Sequence, residues 1–319
     1  MNEIGGYISF PIYNGKMLHD KGLKINNARN CLELIIREKN IKIIYLPKYI
    51  CESVISVCKK NNVEIRYYLI NELFQPILEE VPELSNVLIV NFYGQLEKKY
   101  LKILSKKFRI IIDNTQDYFY NYKINVPTIY SCRKYFGVPD GGILENYDIQ
   151  NKSLLDGVKY SNGCVDHLIG RLERTAKEFY NVYKENEQRL DIEPLKKMSP
   201  FTEDILHSIR YKSSKKNRLK NFKKYKQAFK NINMLKINKI GTFGYPLLLK
   251  NGKEIKEYLI KNNIYIPTLW PNCISEKCFI NKDYNINDLL ILPCNEDLSE
   301  KEINKVIKMI KEKNLWKKL

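Results

Sequence analysis

Short apolar runs alternate along the chain with longer stretches in which apolar residues recur every three or four positions. Leu32, Ile35 and Ile36 form one such stripe, so the spacing predicts a turn and then a helix over 22–38, capped by Asn26 or Asn27. KIIYLP (42–47) predicts a strand stopped at Pro47, 49–60 a second helix and VEIRYYLI (63–70) a second strand. The pattern then repeats. NVLIVNF (86–92) reads as a strand, 94–108 as a helix with Leu96, Leu101 and Leu104 on one side, and RIIIDN (109–114) as a strand ending in Asp113. VPTIYS (126–131) is a further short strand, and the Gly, Pro and Asp of CRKYFGVPDGG (132–142) predict a loop that turns back into the sheet at 142–144. A long helix is expected over about 165–190, burying Leu168, Leu172, Ala176, Phe179 and Tyr183.

Strands apolar on both faces, alternating with helices, argue for an α/β fold with a mainly parallel sheet covered by helices. Ligands in such sheets bind beyond the carboxyl ends of the strands, where Asp113 lies. The last part reads as a smaller α/β lobe: a strand at 245–249, a helix at 252–262, strands at 264–267 and 289–293, and a helix over 298–313. Ser299 and Glu302 have the spacing of a capping box at the start of that helix. A large domain over 1–235 and a small C-terminal domain over 236–319 are therefore expected. No internal repeat is present.

At 319 residues, 44% hydrophobic and 28% charged, the chain exceeds a small binding module and should fold as a soluble globule. It contains no apolar run long enough for a membrane span, and its first residues do not read as a secretory signal, so a cytoplasmic location is expected. The net charge of +18 attracts polyanions, although Lys, Asn and Ile are abundant throughout and account for it equally well. Residues 205–253 contain no Asp or Glu. Within them, 210–230 reads first as a basic amphipathic helix packed through Leu219, Phe222 and Phe229. An electropositive rim for an anionic substrate, or a nucleic-acid or membrane surface, are the sharper readings. The eight cysteines should be free thiols, Cys273 and Cys278 included, and His19, His167 and His207 stand in no metal-binding spacing, so no metal is expected. Phosphate-loop, nucleophile-elbow and dinucleotide-binding signatures are absent.

Three short segments carry the candidate chemistry: Asn26-Asn27-Ala28-Arg29-Asn30, Asp113-Asn114-Thr115-Gln116 and Ser131-Cys132-Arg133-Lys134. Taken singly, a strand-terminal Asp reads as a cap, a lysine as solvated, and Tyr49 beside Pro47 as ordinary packing. Together with IIYLPKYICESVI, NFYGQ at 91–95, IIIDNTQDYF at 110–119 and the C-terminal IYIPTLWP, they make the chain resemble the fold-type-I enzymes dependent on pyridoxal 5'-phosphate (PLP), specifically the DegT/StrS-type sugar aminotransferases. The resemblance covers most of the chain and is weakest over 150–230.

The resemblance implies a large PLP-binding domain and a role for each matching residue. Lys134 matches the lysine that attaches to the cofactor and carries protons. Asp113 matches the carboxylate that pairs with the pyridine nitrogen, and Gln116 a position near the ring's 3'-oxygen. Ala28, Arg29 and Asn30 match the helix-start turn that cradles the phosphate, with Ala-Arg standing where the family has Gly-Thr or Gly-Ser. Ser131 is a further phosphate donor, and Tyr49 matches an aromatic residue that stacks on the ring. Tyr93 would line the pocket. The family's Gly-Asn-Arg loop has no clear counterpart; Asn162-Gly163 is its nearest trace. The implied reaction moves an amino group from glutamate to a nucleotide-linked keto sugar, in a homodimer, for surface polysaccharide or modified-sugar synthesis. A PLP enzyme acting on an amino acid or acyl substrate is one alternative, and a non-catalytic basic polyanion-binding protein is another. The aminotransferase reading expects no nucleic-acid partner.

Overall fold

The computed structural model describes residues 4–8, 10–279 and 284–315. The outermost residues of both expected domains, 1–3 and 316–319, therefore lie outside the described residues. Among those described, seven strands form one sheet in the order β1-β7-β6-β5-β4-β2-β3. They are β1 (Leu23–Ile25), β2 (Ile43–Pro47), β3 (Glu64–Tyr68), β4 (Asn86–Val90), β5 (Arg109–Asp113), β6 (Thr128–Ser131) and β7 (Gly142–Glu145). Strands β2 to β6 run parallel, and β7 lies antiparallel between β6 and β1. Helices α1 (Ala28–Glu38), α2 (Glu52–Lys60) and α3 (Lys98–Lys107) connect the strands and pack on them. The apolar runs of β2, β4 and β5 are buried because helices cover the sheet.

The expected first element is split in two. LKI becomes β1, which pairs with β7, and Asn27 caps α1 by accepting the Asn30 N–H at 2.9 Å. Three residues of strand are too few for a period to show.

The single helix expected over 165–190 is instead two helices, α4 (Asp166–Glu173) and α5 (Tyr180–Ile192). The break has a local cause. Thr175 Oγ1 accepts the Glu178 N–H and donates to the Glu178 carboxylate at 2.6 Å, a local turn that separates the two helices. Phe179 then folds back onto Gly170, where a Cβ would lie 2.2 Å from its ring. Leu172 and Tyr183, expected inside, are exposed.

Helices α6 (Pro200–His207) and α7 (Tyr211–Phe229) lead to a two-stranded antiparallel sheet, β8 (Gly244–Leu248) with β9 (Leu289–Pro293). Helices α8 (Gly252–Lys261) and α9 (Glu300–Leu315) pack beside it. The Ser299–Glu302 capping box forms, with reciprocal bonds of 2.8 and 3.3 Å. Residues 264–267 form no strand; Ile266 is buried in the second core from a loop.

Phe222, Tyr225 and Phe229 of α7 belong to that second core, so this basic helix packs with the C-terminal lobe although the expected boundary falls after it. Several of its cations are engaged: Lys220 and Lys224 with Glu300, and Lys226 with the Asn238 carbonyl. Leu219 is only half-buried, and Tyr225 takes its place in the stripe. No helix of the described residues is long and apolar enough to cross a membrane.

Candidate active site

Strands β5 and β6 are parallel neighbours, so Asp113 and Ser131 end at the same edge of the sheet. A short 3-10 turn, Cys132–Lys134, follows β6 at once. The N-terminus of α1 reaches the same edge. The Gly141 N–H donates to the Asn26 carbonyl at 2.6 Å, and the Cys132 N–H donates to the Gly141 carbonyl at 3.1 Å. Gly142 permits this crossing: a Cβ there would sit 2.4 Å from the Asn27 carbonyl carbon. The three sequence segments singled out above thus meet at one place.

Lys134 is exposed at this edge of the sheet while protein crowds part of its side chain. Desolvation lowers its pKa first, and the neighbouring Arg133 and Arg29 guanidiniums lower it further against the opposing pull of Cys51 and Asp113. Asp113 is buried, its carboxyl raised by desolvation and held down in part by Thr115 and Lys134; Oδ1 accepts the Thr115 N–H at 3.0 Å. The Gln116 Oε1 accepts the Tyr93 N–H at 2.8 Å, which fixes the loop after β4 against the loop after β5. Ser131 is buried and its side chain makes no capping bond.

At the start of α1, Ala28 and Arg29 retain the unpaired N–H groups of a first helical turn. The Asn30 N–H is spent on the Asn27 cap, and its side-chain amide bonds Asn26 and the Pro194 carbonyl. Asn30 is therefore committed to holding the turn's shape. The Asn27 Nδ2 is buried and has no partner. Tyr49 is also committed: it is fully buried, stacks on Phe92 at 5.4 Å, meets Trp270 edge-on at 4.4 Å and bonds the Tyr93 hydroxyl at 3.0 Å. In this structure it is a buried side chain packed among aromatic rings. Tyr93 shares that core.

Sequence reasoning left the direction of Arg133 open. The structure turns it toward α5, where it pairs with Glu187, while Arg29 pairs with Asp191 one helical turn on. Burial brings the Arg133 pKa down to about 10, with Arg29 adding to the effect. The two acids were missed because carboxylates four apart on a helix read as a solvated face.

Behind Lys134 lies a buried polar chain that was also missed. Tyr135 shares a hydrogen bond with Thr242 at 3.1 Å, and Thr242 Oγ1 donates to Asp117 at 3.2 Å. Burial pushes the Asp117 carboxyl up to about 6 against the pull of Lys239. No group of His, Cys, Asp and Glu able to hold a metal ion occurs among the described residues.

No family model matches the sequence, and no curated protein matches it. Solved structures do. A DegT/DnrJ/EryC1/StrS aminotransferase from Brucella abortus matches at 14% identity and a TM-score of 0.60, covering 92% of this chain and 85% of its own. The sugar aminotransferase CalS13 from Micromonospora echinospora matches at 11% and 0.61, covering 91% and 86%. Spr1654 from Streptococcus pneumoniae, in its PLP form, matches at 15% and 0.63, covering 91% and 86%. The chain has the fold of these proteins: the α/β fold of the type-I PLP-dependent aminotransferases.

Proposed function

We propose that the chain is a PLP-dependent aminotransferase that moves an amino group from glutamate to a nucleotide-linked keto sugar. The observation that carries this reading is the meeting of Lys134, Asp113 and the α1 N-terminus at one sheet edge, with the lysine's pKa lowered there. The fold shared with sugar aminotransferases supports it.

The residues present fit the cofactor. The unpartnered Asn27 Nδ2, the free N–H groups of Ala28 and Arg29, and the guanidiniums of Arg29 and Arg133 suit a phosphate. Asp113, buried and strand-terminal, suits a protonated ring nitrogen, and Ser131 ends the neighbouring strand at the same edge, with Gln116 three residues past Asp113. When bound, PLP supplies an electron sink for negative charge at the carbon that bears the amine.

The chain's own work is then proton handling and orientation. Lys134, its amine made easier to deprotonate, takes and returns a proton at Nζ. Asp113 holds a positive charge across from it, and the hydrogen bond to Thr115 fixes the carboxylate's direction. The Gln116–Tyr93 bond sets the loop that closes one side.

A homodimer belongs to the same reading. Ile4, Tyr7, Ile8 and Phe10 near the start of the described chain, and Leu172 on α4, are exposed to solvent, which suits burial against a second copy. Cytoplasmic action in surface polysaccharide or modified-sugar synthesis, and a lobe boundary near residue 235, complete the proposal. The test is the visible absorption of the protein with PLP. A band lost on adding glutamate, and absent in Lys134→Ala, is expected. No band in folded wild-type protein overturns the reading.

A further inference from the structure

Three cations converge at the candidate site. Lys134 feels both Arg133 and Arg29, and the two arginines feel each other. Like charges at such range repel, and the structure answers them with one helix. On α5, Glu187 pairs with Arg133 and Asp191 with Arg29. The arginine side chains are 15 and 16% exposed and the acids 31 and 57%, so the acids cover the guanidiniums from the solvent side.

Helix α5 is also held by the Arg189 bond to the Gly163 carbonyl and, just past its end, by the Asn30 amide on the Glu193 and Pro194 carbonyls. Of its thirteen residues only Asn186 and Leu190 are buried. Asn186 reaches the Pro139 carbonyl at 3.4 Å, and Arg189 reaches Cys164 Sγ at 2.9 Å. The turn before the helix and its outer face are exposed, Tyr180, Tyr183 and Ile192 included. The two ion pairs are what fixes the face of α5 against the two arginines.

We infer that Arg133 and Arg29 form a two-guanidinium clamp for a phosphate monoester, and that Glu187 and Asp191 on α5 are a displaceable latch occupying it. An incoming dianion carries the charge that the two carboxylates supply together, so the exchange leaves the charge balance at the two guanidiniums unchanged while α5 is released. A planar guanidinium fork suits phosphate oxygens as well as carboxylate oxygens. This inference rests on the proposed PLP-binding function for the identity of the monoester. The latch itself requires only phosphate.

The test combines binding with backbone hydrogen exchange on the full chain, using inorganic phosphate and PLP as separate probes. Asp191→Asn, at the more exposed of the two acids, should tighten the binding of both probes by about fivefold, because a competing charge is removed. Glu187→Gln should act in the same direction. Arg133→Gln should weaken both. In wild-type protein, saturating phosphate should speed amide exchange over 180–192 and leave β4 and β5 unchanged. Phosphate that fails to bind, binding that leaves α5 exchange unchanged, or an Asp191→Asn variant that binds no tighter overturns the latch. PLP attachment lost in Lys134→Ala, found together with any of those results, would leave the aminotransferase reading standing and the latch refuted. Latch behaviour toward inorganic phosphate, with no PLP attachment to Lys134, would refute the enzyme and keep the latch.

Discussion

Arg218 on α7 donates to the backbone carbonyl of Tyr135, the residue after Lys134, at 2.9 Å. The same guanidinium pairs with Glu296 at 2.6 Å, reaches the Thr242 carbonyl at 3.3 Å and lies over the Tyr135 ring at 4.8 Å. One buried cation therefore ties the C-terminal lobe to the turn that carries the candidate lysine.

Removing that cation should be costly. Arg218→Ala removes a buried cation and leaves two carbonyls and the Glu296 carboxylate without their partner, so a loss on the order of 3 kcal/mol is expected. Glu296→Gln, at a partly exposed partner, should cost about 1 kcal/mol or less. Chemical denaturation of the two variants checks the ranking. Equal losses would mean that the pairing with Glu296, rather than the cation's carbonyl bonds, dominates.

Asp117 sets a pH dependence. Its folded pKa is raised to about 6 from a usual value of 3.8. The folded state therefore holds the proton more tightly, and the stability this provides is complete below about 4 and lost as pH rises through about 6. Asp117→Asn should remove that component, making the stability difference from wild type change sign or shrink between pH 4 and 7. Melting curves across this range would detect it; a constant difference would show that Asp117 ionises normally.

The amine of Lys134 is also tuned by its neighbours. Arg133→Gln removes one of the cations that lower its pKa, so the pH midpoint for PLP attachment should rise. A spectroscopic titration of wild type and variant gives both midpoints. A midpoint that stays or falls would mean that desolvation alone controls the lysine.

Gly142 tests the crossing of α1 and β7. Gly142→Ala places a methyl group inside the Asn27 backbone, so one segment must shift. The variant should be destabilised by about 2 kcal/mol or more and should bind PLP more weakly than its remaining stability explains. Wild-type stability would show that the crossing yields easily.

The parallel strands were readable because burial on both faces leaves an unbroken apolar run, as in IIYLP, NVLIV and RIIID. The Ser299–Glu302 capping box stands before a clean helical stripe and was seen, whereas the Thr175–Glu178 turn lies inside what reads as one long stripe, so the α4–α5 break was hidden. The convergence of Asp113, Lys134 and Arg29 came only from resemblance, since no local period brings distant strand ends together. Arg218 was hidden by composition: one buried arginine on a helix of exposed lysines carries no mark of its own. Tyr49 came only from resemblance, because an aromatic at a strand end serves a ring pocket or a core equally well; here it packs on Phe92 and Trp270.

The central claim is that Lys134 is the residue that takes the cofactor. Reducing the PLP-treated protein with borohydride fixes any attachment covalently, and peptide mass mapping then names the residue. The account predicts phosphopyridoxyl on the peptide containing Lys134 alone, rising to one per chain as PLP reaches one equivalent. Label spread over the exposed lysines, or concentrated on another lysine while Lys134 stays free, would contradict it.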